Sequence, residues 1–181
     1  MSDWQGVIFQ PPPILSTFSF RSGGFGAFLT ANRISINAAG TWPAANRALY
    51  MPVEVNAPCT AYQMAFVVSV QSGNCDVGIY DELGNRLVSA GSTAVGVAGV
   101  QVVDIADTVL APGVYFLAMN VDNTTASVNR ASGGGTADEY RCAGVQQQAV
   151  GAVALPNPAT FANPASIYAP LLMVSTYQAT I

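Results

Sequence analysis

The feature that most constrains the fold is a set of short runs in which apolar and polar residues alternate, separated by Gly and Pro. In residues 60–70 one parity is large and apolar, and the other is mostly small or polar. The large side chains are Tyr62, Met64, Phe66, Val68 and Val70. A period of two is that of a strand with one buried face. No stretch of ten residues carries a helical apolar stripe. We therefore predict an all-β, antiparallel β-sandwich or jelly-roll-like domain.

The same alternation predicts the other strands. They are expected at residues 47–55, 75–81, 86–90, 100–105, 114–121, 124–130 and 171–181, with residues 140–150 either a strand or an extended loop. Turn-forming residues at 81–85 predict a hairpin between two of them. Both parities of residues 114–121 are apolar, which indicates a central strand. Small residues, Gly and Pro predict connections at 91–99, 107–113 and 151–170.

The first 45 residues differ from the rest of the chain. Three consecutive prolines, residues 11–13, favour polyproline II, and residues 18–28 hold four phenylalanines among glycines. We expect residues 1–45 to form an extended arm that orders on a partner, and residues 46–181 to form the sandwich. The alternative is that this segment wraps its own domain. The predicted anchors on the partner are Trp4, Phe18, Phe20, Phe25, Phe28 and Trp42.

The charge content excludes several classes of function. Charged residues are 9% of the chain, with a net charge of −4, six basic residues that are all arginine, and no histidine; an average chain has about 25% charged residues. Without histidine there is no Ser-His or Cys-His pair and no imidazole metal site. Six scattered arginines form no basic stripe for nucleic acid. We expect a non-enzymatic protein without a cofactor.

The remaining candidates for site chemistry are weak. The adjacent pairs Asp81-Glu82 and Asp138-Glu139 are read as turn residues. Three carboxylates could converge on a calcium ion, but they lack a calcium-loop spacing, and we expect no metal site. They are Asp104, Asp107 and Asp122. The three cysteines (Cys59, Cys75 and Cys142) lack CxxC spacing, and we expect them reduced and buried.

The rest of the composition concerns location and surface. No apolar run reaches the ~20 residues of a membrane helix, and residues 1–6 lack the features of a signal peptide. We therefore expect folding in the cytoplasm and no membrane partner. A surface rich in Ala, Ser, Thr, Asn, Gln and Gly but poor in charge resists aggregation poorly. Such a surface suits a protein that neighbouring subunits cover.

Two runs carry a resemblance to a known class of proteins. Residues 72–93, SGNCDVGIYDELGNRLVSAGST, resemble a hairpin of β-sandwich virion proteins of tailed bacteriophages, and residues 104–118, DIADTVLAPGVYFLA, resemble the accompanying strand pair. Residues 47–52 are a looser match. The resemblance implies a virion structural protein, first of all a capsid decoration (cement) protein. Its partners would be the major capsid protein and its own copies, with a trimer as the suggested oligomer. The alternative is a tail-fibre module that binds a receptor or carbohydrate.

Overall fold

The structure, a computed structural model, describes residues 35–132, 140–141, 143–165 and 168–176. These residues form an all-β domain of two antiparallel sheets, which confirms the predicted fold class. The jelly-roll connectivity and the extended arm stay predictions, and residues 1–34 lie outside the described residues.

Twelve strands are described, and they are numbered along the chain. They are β1 (Ser35–Thr41), β2 (Arg47–Val55), β3 (Cys59–Val70), β4 (Asn74–Asp81), β5 (Arg86–Ser89), β6 (Thr93–Ala94), β7 (Gly99–Leu110), β8 (Gly113–Val121), β9 (Ser127–Ser132), β10 (Gln146–Ala149), β11 (Ala169–Pro170) and β12 (Leu172–Ser175).

The strands divide into two six-stranded sheets. Sheet I has the order β1-β9-β3-β12, with β7 paired to β3 and β11 paired to β9. Sheet II has the order β10-β2-β8-β4-β5, with β6 paired to β4. The central position predicted for residues 114–121 is therefore confirmed, because β8 lies between β2 and β4. The predicted hairpin is confirmed as well, since β4 pairs with β5.

The facing sides of the two sheets form the main hydrophobic core. On β4 the alternating residues Val77 and Ile79 are buried there. Burial of each such side chain stabilises the fold by roughly 1.5–3 kcal/mol relative to exposure. Other large members of this core are Leu49, Met64, Phe66, Leu110, Leu117 and Met119.

A change of parity within β3 departs from the simple alternation. Met64 and Phe66 are buried as predicted, but Tyr62 is only half-buried and Ala61 takes the inward position. The pairing of β3 with β7 shifts register between Ala61 and Gln63. A bulge reverses which residues face the core, so a single parity does not hold over the whole strand.

The sandwich begins earlier in the chain than residue 46. Strand β1 pairs with β9 from Ser35 to Thr41. Trp42 follows it, is 1% exposed, and packs edge-to-face on Tyr168. Its indole nitrogen donates a hydrogen bond to the backbone oxygen of Arg47. The boundary at residue 45 is corrected on this evidence: residues 35–45 belong to the sandwich.

Strand β7 is longer than the pattern predicted. Residues 107–113 were expected to form a connection, yet the strand runs to Leu110, which is 1% exposed. The turn is confined to Ala111 and Pro112. Across the irregular pairing with β3 between Asp104 and Thr108, the buried side of β7 changes from odd positions, such as Ile105, to Leu110.

A third layer covers the outer side of sheet II. Residues 152–161, which we call the strap, cross this side without regular structure. Leu155 of the strap is 2% exposed and forms a second apolar cluster with Tyr50 and Tyr80. Phe161 packs on the same cluster, 5.1 Å from the ring of Tyr50. The middle of sheet II is therefore buried on both sides.

Candidate interaction surface

The predicted anchors fall into two groups. Trp4, Phe18, Phe20, Phe25 and Phe28 lie outside the described residues, and their role stays a prediction. Trp42 is enclosed by the sandwich. Its indole ring is buried in the core and the ring nitrogen is hydrogen-bonded to Arg47, so the side chain is not accessible to a partner. We therefore remove Trp42 from the set of partner anchors.

The outer side of sheet I carries a group of apolar residues that no described residue covers fully. Across three strands, Met173 pairs with Ala65, and Ala65 pairs with Val102. One row further, Val67 pairs with Val100. Val100 is 66% exposed, Val102 49% and Met173 40%. These five residues form what we call the apolar face.

Polar groups bound the apolar face on its two described ends. At one end Gln63 pairs with Asp104 on one side and Ser175 on the other. At the other end the Ser69 hydroxyl donates to the side-chain oxygen of Asn129, at 2.7 Å. An exposed apolar group with a polar rim is the usual appearance of a protein-binding surface.

A buried carboxylate organises the outer side of sheet II. Asp76 is 1% exposed. It accepts bonds from the Ser89 hydroxyl (2.8 Å to each oxygen), from the Gly91 amide (3.0 Å) and from the Leu155 amide (2.8 Å). Asn120, which pairs with Asp76 from the adjacent β8, donates hydrogen bonds to two strap carbonyls, those of Ala152 and Val153. This network fastens the strap to the sheet.

Sequence reasoning missed both Asp76 and the strap. The alternation in residues 75–81 places Asp76, Gly78 and Tyr80 on the side of β4 away from the core, but it does not indicate that another segment covers them. Aromatic residues could have indicated the strap, because Tyr50, Tyr80 and Phe116 all lie on the outward side of sheet II. Three large rings on one outward side indicate a further layer.

An open cavity of about 500 Å³ lies beside this network. Among its lining residues are Asp76, Arg86, Ser89 and Asn157, and none is aromatic. Arg86 donates from its guanidinium to the backbone oxygen of Leu155, and the side chain of Asn157 accepts from the Arg86 amide. The Asp76 oxygens are occupied by internal donors, so this carboxylate acts as a structural acceptor.

The three aspartates considered for a calcium site do not lie close together. Asp104 and Asp107 lie on β7 in sheet I, whereas Asp122 follows β8 in sheet II. Asp122 instead accepts bonds from Asn74 and Asn123. Among the described residues no three His, Cys, Asp or Glu side chains come close enough to hold a metal ion.

The two described cysteines are free thiols. Burial, followed by the nearby charges of Asp76 and Asp122, raises the pKa of Cys75 to about 12, and burial also raises the pKa of Cys59. Both therefore stay protonated near neutral pH, when a thiol is a poor nucleophile. Cys142 lies outside the described residues.

Comparisons with family models, with curated proteins and with solved structures find no match to this chain. Within the part of the chain that the structure describes, no helix has the length and hydrophobicity needed to cross a membrane.

Proposed function

We propose that this chain is a non-enzymatic structural protein of a tailed-phage virion, most specifically a capsid decoration protein. It binds the major capsid protein and its own copies without covalent chemistry. Its place is in the virion, after folding in the host cytoplasm.

The observation that carries the proposal is the apolar face. Val100 and Val102 are about half exposed or more, on a rigid sheet and in a chain with few charges to keep it soluble. Such a face promotes aggregation of a free monomer, whereas in a protein that is covered by neighbours it provides the binding surface. The resemblance of residues 72–93 and 104–118 to hairpins of virion sandwich proteins supports the major capsid protein and other copies of this chain as those neighbours.

In the proposed mechanism the N-terminal segment adds the affinity for the capsid. Residues 18–28 carry four phenylalanines and one charge, Arg21. Large aromatic side chains contribute much contact energy for little loss of side-chain entropy. The segment is placed before β1, so it can bind a neighbouring subunit while the sandwich stays folded.

The test uses the full chain with Phe18, Phe20, Phe25 and Phe28 all changed to Ser. We expect the variant to fold normally and to lose cosedimentation with capsids. A matched control is Leu83→Ser, which alters an equally apolar side chain, 79% exposed, at the turn between β4 and β5. Substitution is preferable to deletion of residues 1–45, because that deletion would also remove β1 and Trp42. Unchanged capsid binding by the Phe variant would contradict the role of the arm.

A second candidate function is receptor or carbohydrate binding at a tail. The observation that favours it is the open cavity, where Arg86 and Asn157 offer hydrogen-bond donors. The described residues that line it provide no aromatic ring on which a sugar could stack. A glycan array distinguishes the two: binding that Arg86→Ala abolishes, in a chain that does not bind capsids, would favour the tail module.

A further inference from the structure

The free edge of β7 is the most unusual feature of sheet I. Among the described strands β7 pairs only with β3. None of the backbone hydrogen bonds described between loops and strands involves residues 99–110. Its twelve residues make it, with β3, the longest strand described. Along its outer edge the amides and carbonyls directed away from β3 lack a backbone partner within the described chain.

Other edges of the sandwich are protected in ways that β7 is not. Strand β10 is covered by a bridge from Gln147 to Ala162. Strand β5 has four residues, too short to template another strand well. Proteins usually protect long edges with charges, prolines or a covering segment. Residues 95–103, which include the first five residues of β7, contain no charge and no proline.

The two charges of β7, Asp104 and Asp107, both follow this uncharged stretch. In a parallel, in-register pair of β7 strands, each aspartate would face its own copy, and like charges placed opposite each other are destabilising. An antiparallel pair centred on Gln101 joins residues 99–103 of the two copies, and Asp104 falls beyond this paired segment, at the level of Ala98 before β7. The two Asp104 side chains are then roughly 20 Å apart along the strands, which is about two screening lengths at physiological salt.

We propose that β7 pairs with β7 of a second copy, antiparallel and across a two-fold axis at Gln101, so that sheet I continues from one subunit into the next. Val100 of each copy then lies opposite Val102 of the other, and the two apolar faces join into one. This inference deepens the proposed self-association and rests on the proposed function. It replaces the three-fold arrangement suggested by the sequence with a two-fold one, because an edge that pairs with itself is isologous.

The cross-strand pair of Val100 and Val102 allows a charge-swap test. In the full chain, Val100→Lys with Val102→Lys places like charges opposite each other in the dimer, as does Val100→Glu with Val102→Glu. We expect each double variant to sediment as a monomer, with its dimer dissociation constant raised at least tenfold. An equimolar mixture of the two is expected to restore a dimer that contains one copy of each, read by native mass spectrometry.

The matched control is Val109→Lys, on the same strand, 76% exposed and beyond the proposed pair. It is expected to dimerise like the unmodified chain. Hydrogen exchange provides a second readout: those amides of residues 99–103 that are directed away from β3 are expected to exchange quickly in the monomer and slowly in the dimer.

Three results would overturn the proposal. The first is an unmodified chain that stays monomeric at every concentration reached, and the second is double variants that dimerise normally. The third is strong protection, in the monomer, of the amides of residues 99–103 that are directed away from β3, which would show that another segment of the same chain covers the edge. Capsid cosedimentation is measured in parallel, so a failure of this pairing is separable from a failure of the proposed function.

Discussion

At the scale of single residues, the most consequential side chain is Asp76. A buried carboxylate is tolerable only when donors satisfy it, and here Ser89, Gly91 and Leu155 do so. The same bonds tie β4 to β5 and to the strap. One side chain therefore holds together three parts of the chain that are distant in sequence.

Replacing Asp76 by Ala leaves the Ser89 hydroxyl and the Leu155 amide without an acceptor, whereas the Gly91 amide keeps the Ser89 oxygen. Each unsatisfied donor costs about 1–3 kcal/mol, so we expect the free energy of unfolding in urea to fall by at least about 2 kcal/mol. Asp76→Asn keeps one acceptor oxygen, so its free energy of unfolding should lie between those of the unmodified chain and Asp76→Ala. Asp104→Ala, at an exposed carboxylate, serves as the control. Equal urea midpoints for Asp76→Ala and Asp104→Ala would refute the structural role.

Two other aspartates make stability depend on pH. Partial desolvation opposes ionisation of Asp81, but hydrogen bonds from Asn85 and Leu83 outweigh it and lower its pKa below 3.8. The balance at Asp122 is the same, with bonds from Asn123 and Asn74. A lowered folded-state pKa gives stability that is present above the ordinary pKa and is lost as pH falls through the lowered value.

We therefore expect the free energy of unfolding to decrease below pH ~4. The double variant Asp81→Asn, Asp122→Asn should lose less stability over this acid range than the unmodified chain. Urea unfolding at a series of pH values measures the free energy of unfolding of both proteins. Because both side chains lie near the solvent, the difference should be small and should shrink at high salt. Parallel pH profiles for the two proteins would show that these carboxylates do not contribute.

At the scale of elements, the strap shows how an irregular segment becomes structural. Leu155 inserts above Gly78, where an added Cβ would come within 3.1 Å of the leucine and 2.5 Å of the Val88 oxygen. Tyr80 donates its hydroxyl hydrogen to the Pro156 oxygen, and Ala159 pairs with Gly84. The strap therefore depends on a glycine in the middle of a strand.

Leu155→Ala tests this packing. Removing a buried leucine costs about 2–5 kcal/mol, and the loss should appear both in global stability and in faster hydrogen exchange of residues 152–161. Leu87→Ala is the matched control, because Leu87 is 42% exposed on the adjacent β5. A Leu155 variant as stable as the Leu87 variant would mean that the strap does not contribute to the fold.

Strands were predictable from the sequence where one physical rule dominated. The bounds 47–55 coincide with β2, and the turn at 81–85 separates β4 from β5, because alternation and turn chemistry are local signals. The bulge in β3 and the extra length of β7 were not predictable, since both depend on how two distant strands align. The strap was called a connection for the same reason: its partners, Asp76 and Asn120, are far from it in sequence.

At the scale of the whole molecule, the sandwich has two unlike outer sides. That of sheet II is closed by the strap and its hydrogen bonds, whereas that of sheet I presents the apolar face and the open edge of β7. The sparse charge of the sequence predicts a surface that neighbouring subunits cover, but it does not indicate which surface. That choice follows from the register of β3, β7 and β12, which places the apolar residues side by side.

The central claim is that this protein coats a capsid. The most direct measurement is quantitative mass spectrometry of purified particles, with separated heads and tails, to give the copy number of this chain relative to the major capsid protein. We expect a copy number of the same order as that of the major capsid protein, confined to heads. A few copies per particle found only with tails, or no copies in the particle, would contradict it.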